Sequence, residues 1–225
     1  PRSRGLGDVY KRQFEYDANG YRTKKTNGTA TSYYLYDENG NLLEEKREVN
    51  GETKTITYLY AGNDCIGFTL PYVDTTEQEY PFYYEKDLLG NVRKIVDRNG
   101  NLVVKYNYSA WGEAAEPEYT GYSVELSGVK YYAADISELN GLRYRGYYYD
   151  NDLGLYYLIH RYYDPEIGRF ISIDDPLYLD FESLFGTNRY AYCLDNPVMG
   201  IDPEGNFNWT WVGVGILAVS YTHLT

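Results

Sequence analysis

The chain has 225 residues, a formal net charge of −12 and a pI near 4.6. Such an acidic balance leaves no basic stripe to displace counterions from a polyanion, so nucleic acid is excluded as the expected partner of this stretch. Two cysteines, Cys65 and Cys193, and two histidines, His160 and His223, lack the spacing of a zinc site, and neither a metal nor another cofactor is expected.

Tyrosine is the outlier, with 30 Tyr against 7 Phe and 3 Trp, beside 22 Gly. A tyrosine ring packs while its hydroxyl seeks a polar partner. An apolar set dominated by tyrosine therefore predicts a thin β-wall that is partly wet on both faces.

In chain order, residues 1–13 share no pattern with the rest of the chain and read, like residues 219–225, as translated adapter sequence outside the fold. From Phe14 onward a unit Tyr-Asp-x-Asn-Gly recurs, at Tyr16–Gly20 and again at Tyr36–Gly40. A degenerate copy spans Thr57–Gly67, and the run YEKDLLGNVRKIVDRNGNLVVKYNYSAWGE continues the series. Self-similarity at about 20 residues marks a repeat architecture. Asn-Gly at 19–20, 39–40, 50–51 and 99–100 predicts type I′ hairpin turns. Leu102, Val104, Tyr106 and Tyr108 fall on one face of a strand, with Val103, Lys105 and Asn107 on the other. The Asp-x-Asn-Gly loops offer oxygen ligands but lack the closing bidentate Glu of a calcium loop, so they read as turns. A helical period appears only weakly, around Leu179–Leu184.

The expected fold class is all-β: an antiparallel ribbon of hairpins over residues 14–112, followed by a distinct tyrosine-rich segment over 142–205. Residues 113–141 between them are expected to be an insertion or linker, with one short strand near Val129–Tyr132. Asp164-Pro-Glu-Ile-Gly168 and Asn196-Pro197 are expected turns. Residues 206–218 begin a further segment whose apolar run is too short to span a bilayer.

The Tyr-Asp units resemble YD, or Rhs, repeats, and YSAWGE at Tyr108–Glu113 resembles the ending of such a repeat array. The blocks RYRGYYYD, GLYYLIHRYYDPEIGRFIS and NRYAYCLDNPVMGIDPEG are similar to the Rhs-repeat-associated core domain of polymorphic toxins. YLDFES at Tyr178–Ser183 resembles the Gram-positive type. The resemblance implies a β-ribbon shell closed by the core domain, with variable C-terminal cargo, often a toxin, as its partner. It further implies a bacterial protein that is secreted or displayed on the cell surface. It also implies at most one enzymatic activity, an aspartic autoprotease cutting its own chain. By the same resemblance Asp174 and Asp202 are the catalytic carboxylates, sharing one proton. Arg161 would hold one of them charged, and the cut would fall after Asn206. The chain departs from the family pattern at Tyr178, where a glycine is absent from the first Asp-Pro motif, and at Asn206, where leucine is usual. The competing reading is a surface-exposed module that binds cell-surface carbohydrate by ring stacking, without proteolysis.

Overall fold

The computed structural model describes residues 12–72, 78–173, 188–205 and 210–211. Its strands are β1 (Gln13–Tyr16), β2 (Arg22–Thr26), β3 (Ala30–Tyr36), β4 (Leu42–Val49), β5 (Glu52–Ala61), β6 (Asp64–Pro71), β7 (Glu79–Lys86), β8 (Val92–Asp97), β9 (Leu102–Lys105) and β10 (Glu118–Tyr119). These ten form one sheet in sequence order. Then come β11 (Ser123–Leu126), β12 (Val129–Tyr132), a helix α1 (Ala133–Leu139), β13 (Tyr148–Asp150), β14 (Leu155–Leu158), β15 (Arg161–Asp164), β16 (Arg169–Phe170), β17 (Gly200–Ile201) and β18 (Thr210–Trp211). The chain is thus the expected all-β hairpin ribbon followed by a second, smaller antiparallel sheet, β13-β14-β15-β16. The weak helical period near Leu179 lies outside the described residues.

The ribbon turns are built by aspartate. At Asp17, Asp37, Asp87 and Asp97 the glycine three residues on donates its N–H to the Asp carbonyl, at 3.0–3.2 Å. Each Asp carboxylate also accepts the backbone N–H groups two and four residues ahead, at 2.8–3.1 Å. Where the fourth residue is Asn (Asn41, Asn91, Asn101), its side-chain amide donates to the second carboxylate oxygen.

This geometry corrects the turn expected from Asn-Gly. Among those pairs only Asn50 and Gly51 both have positive φ, as type I′ requires. At 19–20, 39–40 and 99–100 only the glycine does. These are type I turns closed by a left-handed glycine, and the strand register slips by one residue at Glu15/Tyr16 and Leu35/Tyr36. The reason is the Asp side chain: an acceptor that bonds two amides ahead holds its successors in the right-handed turn region.

The same bonds make the turns acid-sensitive. The Asn41 side-chain amide and the neighbouring backbone amides hold the Asp37 carboxyl below its ordinary value. Burial raises that of Asp97, yet hydrogen bonds from Asn101 and Asn99 outweigh it and the net shift is downward. A carboxyl depressed by folding stabilises fully above its unfolded value and loses that contribution as pH falls through the folded one. Ribbon stability is therefore expected to drop below the ordinary carboxyl value of 3.8. Asp97→Asn should flatten that drop when urea unfolding at about pH 5 is compared with about pH 2.5. An unchanged pH slope in the variant would contradict this.

The described residues divide into two compact units, the first comprising residues 12–72, 78–84, 95–103 and 120–139. Its buried sheet face carries cross-strand rows. Tyr34, Glu45 and Ile56 are mutual partners across β3, β4 and β5, and Tyr58, Phe68 and Phe82 across β5, β6 and β7. All six are buried, and the Phe68 and Phe82 rings stack with centroids 5.3 Å apart. Glu45 is the anomaly, a carboxylate with 0% exposure. Arg47 answers it with a two-pronged contact at 2.6 and 3.1 Å. The same guanidinium donates to the carbonyls of Glu138 and Leu139 at 2.8 and 3.1 Å, capping the last turn of α1, which has no basic residue of its own.

Residues 113–141 are therefore more than a loop with one strand. The expected strand at Val129–Tyr132 exists, and β11 pairs with it through a Ser127-Gly128 turn in which both φ are positive. The hairpin runs directly into α1, whose Ala133, Ile136 and Leu139 are buried. The Tyr122 hydroxyl reaches that of Tyr80 at 3.4 Å, and the Tyr122 ring meets Phe82 edge-on.

The second unit comprises residues 85–94, 104–119, 140–173, 188–205 and 210–211. Along β9 and beyond, Val104 and Tyr106 are buried while Lys105 and Asn107 are exposed, but Val103, expected on the face of Lys105, is buried as well. Tyrosine organises the small sheet. Tyr149, Tyr156, Tyr163 and Phe170 are successive cross-strand partners on β13 to β16. Their centroids are 4.8, 6.3 and 5.8 Å apart, the spacing at which aromatic pairs attract. Tyr144, Tyr147 and Tyr192 pack with this ladder to make one aromatic core.

Here the wet-wall expectation fails. Tyr156, Tyr163 and Tyr192 have 0% exposure, and all four residues of β14 are buried. The hydroxyls find backbone partners. Tyr144, Tyr163 and Tyr156 donate to the carbonyls of Ala110, Trp111 and Gly112 at 2.7, 2.7 and 2.9 Å. Three consecutive carbonyls of the SAWG loop are thus bound by three core tyrosines. That satisfies polar atoms whose burial would otherwise be costly.

Candidate functional site

The strands β14 and β15 are joined by a two-residue turn, Ile159-His160, with Leu158 opposite Arg161. Ile159 sits at φ +56°, a left-handed conformation that a β-branched residue adopts only when its surroundings impose it. The segment Asp202–Gly205 lies against this turn. The His160 N–H donates to the Glu204 carbonyl at 3.2 Å, and Arg161 Nε donates to the Gly205 carbonyl.

Arg161, the first residue of β15, organises the rest. Its Nη2 meets Asp202 Oδ2 at 3.3 Å, with both side chains buried, at 4% and 7% exposure. Its Nη1 donates to the Arg189 carbonyl at 3.2 Å. The guanidinium carbon lies 3.6 Å from the centroid of Phe170, so the planar cation rests on the end of the aromatic ladder. A buried ion pair survives only when its remaining donors and acceptors are also met. On the guanidinium side that condition is met by a carboxylate and two backbone carbonyls.

Asp202 is held from the other side through its backbone. Its N–H donates to the Tyr147 hydroxyl at 3.2 Å, and that hydroxyl lies 3.0 Å from the hydroxyl of Tyr192. Burial raises the phenols of Tyr147 and Tyr192 above their ordinary values, so both stay neutral throughout the physiological range. Burial likewise pushes the Cys193 thiol up to about 12, which keeps it protonated and inert as a nucleophile at neutral pH.

Of the residues expected from the sequence, the structure brings Arg161 and Asp202 together. Asp174 and Asn206 lie outside the described residues. The expected turns are present: Glu166 N–H bonds the Asp164 carboxylate at 3.0 Å, and Met199 and Gly200 N–H groups bond the Asn196 carbonyl. Sequence reasoning missed Tyr147, Tyr192 and the Gly205 carbonyl. Only the tyrosine density around them hinted at a role.

No family model matches the chain. It is similar to the tRNA3(Ser)-specific nuclease WapA of Bacillus spizizenii, at 37% identity over 206 residues, 91% of this chain and 8% of that protein. A shorter stretch is similar to the toxin protein Tse5 of Pseudomonas aeruginosa, 47% identical over 64 residues, 28% of this chain and 4% of Tse5. Among solved structures the fold matches a chain of the Photorhabdus luminescens Tc holotoxin pore carrying a TccC3 variant. That match has a TM-score of 0.65 and 22% identity, and it covers 87% of this chain and 9% of the other. The chain thus spans less than a tenth of the length of these proteins. Its sequence is thus similar to parts of bacterial proteins named as a nuclease and a toxin, and its all-β fold is similar to that of a chain in the Tc holotoxin pore. Both agree with the Rhs-type motifs of the sequence. Among the described residues no helix is long and apolar enough to cross a membrane.

Proposed function

We propose that this chain is the closing part of a β-shell in a secreted or surface-displayed Rhs-type toxin, and that its segment 142–205 cuts its own backbone after Asn206 to free the C-terminal cargo. The observation that carries the reading is the grip of Arg161 on both the Asp202 carboxylate and the Gly205 carbonyl. One side chain ties a buried acid to the backbone immediately before the expected cut. Relatedness to proteins named as a nuclease and a toxin supports a role in carrying such cargo.

In this mechanism Asp202 and Asp174 share a proton. The ionised carboxylate takes a proton from water as its oxygen bonds to the Asn206 carbonyl carbon. The protonated partner gives its proton to the Phe207 nitrogen as the C–N bond breaks. The products are a carboxyl group on Asn206 and an amine on Phe207. Arg161 keeps Asp202 in place through one charge-assisted contact from Nη2, while its other two donors hold backbone carbonyls.

The test is the complete gene, expressed with and without Asp202→Asn, and the intact masses of the products. The wild type is expected to yield two fragments divided after Asn206, and the variant a single uncut chain. An uncut wild type removes the processing role and leaves a scaffold.

A further inference from the structure

The self-cleavage reading assigns no task to the two buried hydroxyls beside Asp202. Five residues form a closed circuit there, completed through the Asp202 main chain. Arg161 pairs with Asp202 and lies on Phe170; Phe170 and Tyr192 rings meet edge-on at 5.9 Å; Tyr192 and Tyr147 hydroxyls are 3.0 Å apart; and Tyr147 accepts the Asp202 N–H. Three other hydroxyls of this core, those of Tyr144, Tyr156 and Tyr163, donate to the SAWG loop. Tyr147 instead acts as acceptor for the one residue of this core whose carboxylate the proposed chemistry needs.

We propose that Tyr147 is the positioning residue of Asp202, with Tyr192 as its hydrogen-bond partner. This rests on the self-cleavage reading for its consequence, but not for its geometry. A phenol with one proton and two lone pairs can accept from Asp202 and donate to Tyr192 at once, and such a donation makes its oxygen a better acceptor. Because burial keeps both phenols neutral, this anchor does not titrate with the carboxylates. Arg161 fixes the Asp202 side chain while Tyr147 fixes its main chain. Together they leave the carboxylate little freedom to rotate away from its target, the condition for an oriented general acid or base.

The complete gene product carrying Tyr147→Phe tests this, because phenylalanine keeps the ring packing and removes only the hydroxyl. Hydrogen–deuterium exchange read on the peptide covering residues 200–205 is expected to speed up about tenfold, the equivalent of about 1.4 kcal/mol. Exchange in residues 148–158 should stay as in the wild type. The plateau of the pH–rate profile for self-cleavage is expected to fall by a similar factor, with its midpoint unmoved. Tyr192→Phe should give a smaller effect of the same kind. Wild-type exchange at residues 200–205 in Tyr147→Phe overturns the proposal, whether or not the chain cuts itself. Faster exchange in a chain that never cuts upholds the positioning and rejects only the cleavage reading.

Discussion

Gly205→Ala is expected to lower stability by about 2–4 kcal/mol and to abolish any cut downstream. Two independent terms make up that figure. Gly205 has φ +73°, and a side chain in the left-handed region costs about 1–2 kcal/mol. A Cβ there would also lie 2.6 Å from the Leu158 carbonyl oxygen and 3.2 Å from the Arg161 nitrogen. Both atoms belong to backbone at the ends of the β14–β15 turn, so neither swings aside as a flexible side chain would. The segment must lift away, which strains or breaks the bonds from His160 to Glu204 and from Arg161 to Gly205, a further loss of about 1–2 kcal/mol. Glu204→Ala is the control. Its side chain is exposed in the same segment, and the change should stay within about 0.5 kcal/mol. Urea unfolding reports the first effect and intact mass the second. A Gly205→Ala chain as stable as the wild type would mean that this segment is not seated on the β14–β15 turn.

How far the sequence foretells this site depends on the residue. The hairpin ribbon is legible because its signals are local: an aspartate, a glycine three residues on, and alternating flanks. Asn-Gly misleads about the turn type at Gly20, Gly40 and Gly100 when it is weighed without the preceding Asp. The side chain of that Asp bonds two amides ahead and decides between a type I and a type I′ turn. The hairpin Ser123–Tyr132 carries a Ser-Gly signal that is readable on the same terms as Asn50-Gly51. Helix α1 is not readable. Seven residues are too few to show a period, and its end is capped by Arg47, 92 positions from Leu139.

The tyrosines teach a similar lesson. Composition points to rings with wet hydroxyls, yet the core hydroxyls are spent on carbonyls of residues 110–112, a partnership set by tertiary proximity alone. Arg161 and Asp202 come from a resemblance, since 41 positions separate them and no periodicity connects them. That Arg161 also holds the Gly205 carbonyl follows from the cross-strand position of the β14–β15 turn. Residue types do not encode that position.

Arg161 should be the most costly residue to lose. Arg161→Leu removes the partner of a carboxylate with 7% exposure, the two carbonyl contacts and the cation resting on Phe170. Leaving a buried charge uncompensated typically costs about 3–5 kcal/mol. Arg161→Lys should recover only part of this, because an ammonium is a point charge that cannot reach three acceptors in one plane or lie flat on a ring. The informative variant is the pair Arg161→Leu with Asp202→Leu. Removing both charges also removes the desolvation penalty, so the double variant is expected to be more stable than Arg161→Leu alone, measured by urea unfolding. If instead the two losses add, the ion pair contributes little and the segment is held chiefly by its backbone bonds. Stability and processing then separate cleanly. The double variant keeps the fold and lacks the acid, so a cut that persists in it could not be the work of Asp202.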